Sequence, residues 1–355
     1  MLYNITIYNI TILYMLSFVG VLVAGSWLLS IIKADTQCPY INTTTNTNTN
    51  AWNKSSVRIM QFNAEWLFVD YYAPFGCPGD ACPWKNESQA RTHLDTVANI
   101  IRSVDPDIIN ICEVEGCDEL QMLSDNLQSY NPYLIQGTDS STGQNVGLLS
   151  RIQPTADLRR VETRVEYPIP GSSCGYTGAP GSTAVSKHYI TEYRFPNQSL
   201  SIAFIGAHLI AYPDDPSRCV QREAQAQVIQ QVIAGYVDRE YEIILLGDFN
   251  DFDGEVPDIN GNIPISRVLS ILKGHFGQFS GKYNLTSAAT KVNQTSRYSD
   301  WYKDGETEYS EIDFILVSPK IYERIMRVEF VHTYDKATDY YAPDHFPVVI
   351  DISLD

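Results

Sequence analysis

Apolar and polar positions along the chain fall into short runs that break off at a polar residue. VRIMQFN (57–63) and DIINICE (107–113) read as strands with polar ends. Between them SQARTHLDTVANIIRSV sets Leu94, Val97, Ile101 and Val104 at helical spacing, and Asp105-Pro106 stops that helix. NVGLLSR (145–151), LSIAFIGAHL (200–209), YEIILLGDFN (241–250), IDFILVS (312–318) and HFPVVIDIS (345–353) are further strands. SRCVQREAQAQVIQQVIAGY (217–236) reads as a helix, and the stretch from Pro168 to Gly181 as a Gly/Pro/Ser-rich loop. Many strands with few helices, and no strict alternation, predict an α/β architecture with mixed sheets.

The N-terminal part follows a different pattern. From Ile10 to Ile32 the chain is apolar over a length that spans a bilayer. Residues 1–34 therefore read as a signal peptide or a signal anchor, although the usual basic n-region is missing. INTTTNTNTNAWNKSS (41–56) is polar and of low complexity, so residues 35–56 read as a tether. The folded domain is expected over 57–355.

Composition supports export. Asn42, Asn53, Asn86, Asn197, Asn284 and Asn293 each head an Asn-X-Ser/Thr triplet downstream of the apolar segment. Seven cysteines suit an oxidising compartment, with Cys77–Cys82 and Cys174–Cys219 as candidate bridges. The odd number leaves one thiol over, and Cys112, inside an apolar run, is the candidate. No Cys-X-X-Cys or His-X-X-X-His spacing supports zinc. A net charge of −17 argues against broad, non-specific affinity for nucleic acid or anionic membrane. It leaves room for an enzyme that holds one phosphate through a metal and a few local cations. The expected location is secreted, luminal or at the cell surface, with membrane contact only through an uncleaved N-terminal segment. No segment predicts a protein partner.

The candidate chemistry sits where strands end. IILLGDFNDFDGE (243–255) passes from four apolar residues into Asp248, Asn250, Asp251, Asp253 and Glu255. Such a cluster is either a turn or a place where a cation offsets mutual repulsion. Partners elsewhere favour the second reading. Asn63 and Glu65 follow one strand, Glu113 another and His208 a third. Asp313 opens IDFILVS, and Asp344 and His345 precede the last strand. A carboxylate inside an apolar run needs a partner, and His345 is the natural one for Asp313. Carboxylates, amides and two imidazoles at one sheet edge suit metal-assisted hydrolysis. Asp251, Asp253 and Glu255 are read as turn residues outside the site.

QFNAEWL, NICEVE, GAHL, GDFND, EIDFILVS and PDHFPV stand in an order across 57–355 that resembles the endonuclease/exonuclease/phosphatase superfamily. The superfamily includes deoxyribonucleases, abasic-site endonucleases, neutral sphingomyelinases and inositol-polyphosphate phosphatases. The resemblance implies a four-layer α/β/β/α sandwich, two mixed sheets face to face with helices outside. It implies Mg²⁺ (or Mn²⁺ or Ca²⁺) and attack of water on a phosphoester. Glu113 takes the place of the main metal ligand, with Asn63, Glu65 and Asp344 around the metal or phosphate. His208 would contact the scissile phosphate, Asp248 orient or deprotonate the water, and Asn250 stabilise phosphoryl oxygens. His345, oriented by Asp313, would move the proton. There are two departures. Abasic-site enzymes carry an aromatic hydroxyl where this chain has His208, and Cys112 stands where a Gln commonly precedes the metal-binding Glu.

Export favours a nuclease acting on DNA or RNA, with Arg222 and Lys187 expected to hold substrate phosphates. Aromatics in WLFVDYYAPF (Trp66, Phe68, Tyr71, Tyr72 and Phe75) would stack on bases or enter a membrane interface. The rivals are a lipid phosphodiesterase of the sphingomyelinase type and a catalytically idle surface-binding module.

Overall fold

The computed structural model describes Cys38, Trp52, residues 54–69, Cys77 and residues 82–195, 199–304 and 306–355. The apolar run Ile10–Ile32, most of the expected tether, Asn42, Asn53 and Asn197, and Tyr71, Tyr72 and Phe75 lie outside the described residues. In chain order the strands are β1 (Ser56–Leu67), β2 (Ile108–Val114), β3 (Asn131–Leu134), β4 (Asn145–Ser150), β5 (Val165–Tyr167), β6 (Gly181–Thr183), β7 (Lys187–Phe195) and β8 (Leu200–His208). They continue with β9 (Glu242–Asp248), β10 (Thr286–Ser287), β11 (Asp300–Asp304), β12 (Glu306–Ser310), β13 (Asp313–Val317), β14 (Ile325–Phe330) and β15 (Val348–Ser353). The helices are α1 (Glu87–Val104), α2 (Cys117–Leu127), α3 (Pro216–Val237), α4 (Val268–Leu272) and α5 (Pro319–Glu323).

Two mixed sheets dominate. One has the order β14-β15-β1-β2-β4-β3, the other β10-β13-β9-β8-β7. The pairs β1/β2 and β8/β9 are parallel, and their neighbours antiparallel. Alternation along each strand divides the core into three layers. Val57 and Ile59 of β1 pack with Tyr189, Phe204, Ile244, Leu246 and Ile315 between the sheets. Met60, Phe62, Ile109 and Ile111 face the other way, onto Leu94, Val97 and Ile101 of α1 and Leu120 and Leu123 of α2. Ile190, Ala203, Ile205, Ile243 and Leu245 pack under Ala224, Val228, Ile229 and Ile233 of α3. The fold is the expected four-layer α/β/β/α sandwich.

Local signals set the ends of these elements. Asn86 caps α1 by accepting from Gln89 N, and Asp215 caps α3 by accepting from Arg218 N. Pro216 then starts α3, where its missing N–H is harmless. Gly247 permits the close approach of β8 and β9: a Cβ there would lie 1.7 Å from Ala207 O. Cys77–Cys82 and Cys174–Cys219 are disulfides, and the buried Cys112 is the free thiol. A third bridge, Cys38–Cys117, anchors a point inside the stretch read as tether to the start of α2. Among the described residues no helix is long and apolar enough to cross a membrane.

Candidate active site

Strand register decides what meets at one end of the second sheet. Lys187 pairs with His208, His208 with Asp248, and Asp248 with Asp313. Directly opposed residues share a face. These four share theirs with Phe204, Leu246 and Ile315, so they form a polar row at the rim of the inter-sheet core. His208 Nε2 lies 3.2 Å from Lys187 Nζ and 3.5 Å from Asp248 Oδ2. Asn250 donates its backbone N–H to Asp248 Oδ1 at 2.9 Å, and its side chain donates to Leu209 O at 3.2 Å.

The first sheet supplies the opposite wall. Asn63 Nδ2 donates to Asp248 Oδ2 at 3.0 Å and to Glu113 Oε1 at 3.3 Å, so one amide ties the two sheets together. Strict alternation would send Glu113 toward the helices with Ile109 and Ile111. Its φ of +64° breaks that alternation and brings the carboxylate to Asn63 and to Trp66 N (3.0 Å). Glu65 (φ +48°) and Trp66 (φ +52°) lie where the β1/β2 register shifts, and Asn250 (φ +50°) follows Asp248. Non-glycine residues in the left-handed region are uncommon, and these four gather around one site. The Glu65 carboxylate is held by Lys336, which also donates to Tyr340 O at 3.2 Å and Ala342 O at 2.9 Å.

His345 closes the site. Its Nδ1 lies 2.7 Å from Asp313 Oδ2, and Asp313 Oδ1 accepts from Gln61 Nε2 at 2.9 Å. Gln61 Oε1 in turn accepts from Asn110 Nδ2. The chain Asn110–Gln61–Asp313–His345 is buried and fixes the ring from behind. The other ring nitrogen faces three groups: Asn63 Nδ2 at 3.3 Å, Asp300 Oδ1 at 3.7 Å and Asp344 Oδ1 at 3.9 Å.

These surroundings tune the two imidazoles in opposite directions. Burial, the Lys187 ammonium and His345 hold His208 well below its ordinary value, so it is neutral. Burial also pulls His345 down, but Asp313, Asp344 and Asp300 outweigh it and hold the ring well above its ordinary value. As an imidazolium, His345 presents a donor at Nε2. The two hydrogens of the Asn63 amide then go to Glu113 and Asp248, and no acceptor is over-used.

The acids outnumber the cations. Burial and Asp313 raise Asp248 to about 8. Burial and Asp344 raise Glu113, and the same two causes push Glu65 well up. Asp300, lifted by burial and Asp344 against the pull of His345, reaches about 7. Oxygen ligands desolvated beside like charges are the donor set of a hard divalent cation. Asp248, Asp313 and His345 bring ligand atoms within 4.8 Å of one another. Asp313, however, is already bonded to His345 and Gln61. Glu113, Glu65 and Asp344 repel one another and are the remaining candidates for that role.

The sequence model of the Endonuclease/Exonuclease/phosphatase family matches residues 60–328. The chain belongs to this family. Family members are phosphoester hydrolases that depend on divalent metal. No curated protein matches the sequence. Among solved structures, an endonuclease/exonuclease/phosphatase protein of Bacteroides vulgatus is 18% identical, with TM-score 0.52, over 85% of this chain and 100% of that one. TDP2 of D. rerio, complexed with a single strand DNA product, is 14% identical, with TM-score 0.51, over 84% and 99% of the two chains. The human Nocturnin catalytic domain is 16% identical, with TM-score 0.50, over 84% and 95%. Identities this low establish the shared fold.

Within this family frame, Asn63, Glu113, Lys187, His208, Asp248, Asn250, Asp313, Asp344 and His345 come together, with Glu65 at the margin. Arg222 does not join them. It has no exposed surface and is ion-paired with Asp251 at 2.8 Å. Its guanidinium donates to the carbonyls of residues 210–213 beneath the loop after β8. It is therefore a structural residue and not a phosphate ligand. Asp253 pairs with Lys273, and Glu255 pairs with Lys273 and His275, so the acids after the family's GDFN motif are answered by cations outside the site. Trp66 and Phe68 are buried in the layer under α1 and cannot stack on a substrate. Cys112 Sγ takes up the place of the family glutamine, 3.7 Å from Gln61 Nε2 and 3.8 Å from Asn110 Nδ2. Asn86, Asn284 and Asn293 are exposed, so these three glycosylation candidates are sterically open.

The sequence reading missed Gln61, Asn110, Asp300 and Lys336. Gln61 was visible as a polar residue inside the strand VRIMQFN. Asp300 and Lys336 sit in polar stretches and carry no local signal.

Proposed function

We propose that the protein is an exported, divalent-metal-dependent phosphodiesterase that cleaves nucleic acid by attack of water on phosphorus. The observation that carries this reading is the pair of oppositely tuned imidazoles beside Asp248. Paired titratable groups pushed apart by their surroundings mark acid/base assignments. His345, held as a cation by Asp313, donates a proton from Nε2 to a phosphoryl or leaving oxygen. His208, kept neutral beside Lys187, offers a hydrogen bond without competing for that proton. Asp248, fixed by the N–H donors of Asn63 and Asn250, orients the attacking water and in its ionised form takes its proton. Lys187 adds a positive charge to the row and binds a phosphoryl oxygen.

Glu113 and Asp344, with Glu65 and Asn63, would hold Mg²⁺. A cation held there would neutralise charge on the phosphoryl oxygens and lower the mutual repulsion of these acids. Mg²⁺ suits a site with few protein carboxylates that shares its ligands with a phosphate.

Nucleic acid is the substrate class favoured by kinship with TDP2, whose D. rerio form is complexed with a single strand DNA product. Export is supported by three disulfides together with the N-terminal apolar run and the sequons. With Arg222 removed from the site, Lys187 is the principal cation for the substrate, so binding will depend shallowly on salt. The test is a panel of plasmid DNA, single-stranded DNA, RNA, sphingomyelin vesicles and inositol phosphates, with Mg²⁺ and with chelator. Mg²⁺-dependent cleavage of nucleic acid is expected. Faster hydrolysis of sphingomyelin than of any nucleic acid overturns the substrate class and leaves the catalytic roles standing. No hydrolysis in any arm leaves the idle binding module.

A further inference from the structure

The loop after β8 is more strained, and more firmly supported, than a surface connection requires. Tyr212 is 67% exposed and has a φ of +71°. A bulky side chain in the left-handed region is a steric outlier, and no burial of the ring offsets it. The support comes from below. Arg222, fully buried, donates from Nη1 to Ile210 O (3.1 Å), Ala211 O (3.4 Å) and Tyr212 O (3.0 Å), and from Nη2 to Pro213 O (2.9 Å). Its Nε donates to Asp251 Oδ2 at 2.8 Å, which also accepts from Ser266 Oγ. Gln225 Oε1 accepts from Ile210 N at 3.1 Å. The start of the loop is tied to the active site: Leu209 N donates to Asp248 O at 2.9 Å, and Asn250 Nδ2 donates to Leu209 O at 3.2 Å. Tyr212 follows His208 by four residues, a reach of at most about 14 Å.

We propose that Tyr212 is a stacking platform for a nucleobase flanking the scissile phosphate, held in place in advance by the Arg222–Asp251 pair. The assignment rests on the nucleic-acid reading above and narrows it. Pro213, Asp214 and Asp215, which follow the tyrosine, offer no cation to an anionic lipid headgroup or a phosphate. What remains attractive is the neutral π-face, which every base can use. Inside a duplex both faces of a base are covered by its neighbours, so a base can lie on the ring only from a single strand or at an end. The substrate is therefore a single strand or a frayed end. Strain concentrated at one exposed aromatic four residues beyond His208 is the pattern of a functional site.

The test uses the full chain with Mg²⁺ and single-stranded tetranucleotides carrying 2-aminopurine at each position in turn, with phosphorothioate linkages to slow cleavage. Binding should quench the fluorescence at one position. Tyr212→Ala should abolish that quench and weaken binding roughly 5- to 30-fold, the lower half of the range for one stacked base. Tyr212→Phe should keep both. Tyr212→Gly should lose the quench while its thermal midpoint stays level or rises, because glycine fits a positive φ without strain. A ring that is only structural would leave all three variants binding like wild type, which overturns the proposal. Position-specific quenching that depends on Tyr212, without cleavage of any nucleic acid, supports the platform and removes the nuclease reading. Cleavage of nucleic acid that Tyr212→Ala leaves untouched, in KM and in quench, does the reverse. Loss of sphingomyelin-vesicle binding by Tyr212→Ala, with tetranucleotide binding intact, makes the ring a membrane contact and also overturns the proposal.

Discussion

Asp313→Asn is the sharpest probe of the chain behind His345. The substitution keeps size and shape but forces a conflict. Gln61 must present its Nε2 to position 313, because its Oε1 is already taken by Asn110 Nδ2. The new amide has one acceptor and one donor end. If its oxygen takes the Gln61 donor, its NH₂ faces His345 Nδ1 and selects the wrong tautomer. If its oxygen takes His345, two NH₂ groups meet at Gln61. Asp300 at 3.7 Å and Asp344 at 3.9 Å still attract the ring, each by about 4 kcal/mol at an effective dielectric near 20. Charge is thus partly kept while orientation is lost. A rate loss of about 10²–10⁴ is expected, the usual range for one general acid/base group. The pH profile gives the second readout. His345 is held above its ordinary value of 6.5, so the stability that its imidazolium contributes is complete below 6.5 and lost as pH rises through the folded value. The variant removes the largest upward cause. Its alkaline activity limb should move to lower pH, and its stability deficit should be greatest in acid and shrink as pH rises. Breaking a buried pair sets that deficit near 3 kcal/mol. Steady-state kinetics from pH 5 to 9, with thermal melts on the same samples, would settle it. An unchanged rate with an unshifted profile would refute the assigned role of the chain.

Arg222→Met should leave Asp251 buried without its cation, cost about 3–5 kcal/mol and lower the thermal midpoint by roughly 10 °C; a raised KM with an unchanged midpoint would contradict the structural role. Glu113→Gln should raise the half-saturating Mg²⁺ concentration and be partly rescued by excess Mg²⁺, whereas His345→Ala should lose about 10²–10⁴ in rate at every Mg²⁺ concentration. Burial, with Asp248 and Asp313 nearby, pushes the Cys112 thiol up to about 12, so iodoacetamide at pH 8 should label it only after unfolding in denaturant, as mass spectrometry will show. Expression in a eukaryotic host should give a product whose gel mobility shifts on glycosidase treatment, with Asn86, Asn284 and Asn293 as sites; an unshifted cytosolic product would sink the export reading.

What the sequence revealed, and what it hid, follows from periodicity. Strand ends are legible because an apolar run stops at a polar residue, and Asn63, Glu113, His208, Asp248 and Asp313 all stand at such stops. Helix faces are legible only when one face is polar. Helix α3 buries Arg222, Glu223, Gln225 and Gln230 along with its apolar residues, so its polar pattern points the wrong way. The burial of Trp66 and Phe68 depends on the irregular end of β1, which alternation cannot foresee. Gln61 and Asn110 sit inside apolar runs, and their partners are long-range in sequence. Cysteine pairing was legible at Cys77–Cys82, where five residues of separation leave little choice, but the 79-residue span of Cys38–Cys117 was not.

The Asn63 amide joins the acid of one sheet to the acid of the other, Gln61 reaches Asp313 across the same gap, and among the described residues no strand pairing spans it. The spacing between the two groups of ligands is therefore set by how the apolar side chains between the sheets fill their volume. A displacement near 1 Å can cost about 10²-fold in rate. Trimming Phe204 or Leu246 would then register as lost turnover in protein that is still folded. Catalysis in this molecule is a ruler laid across its own core.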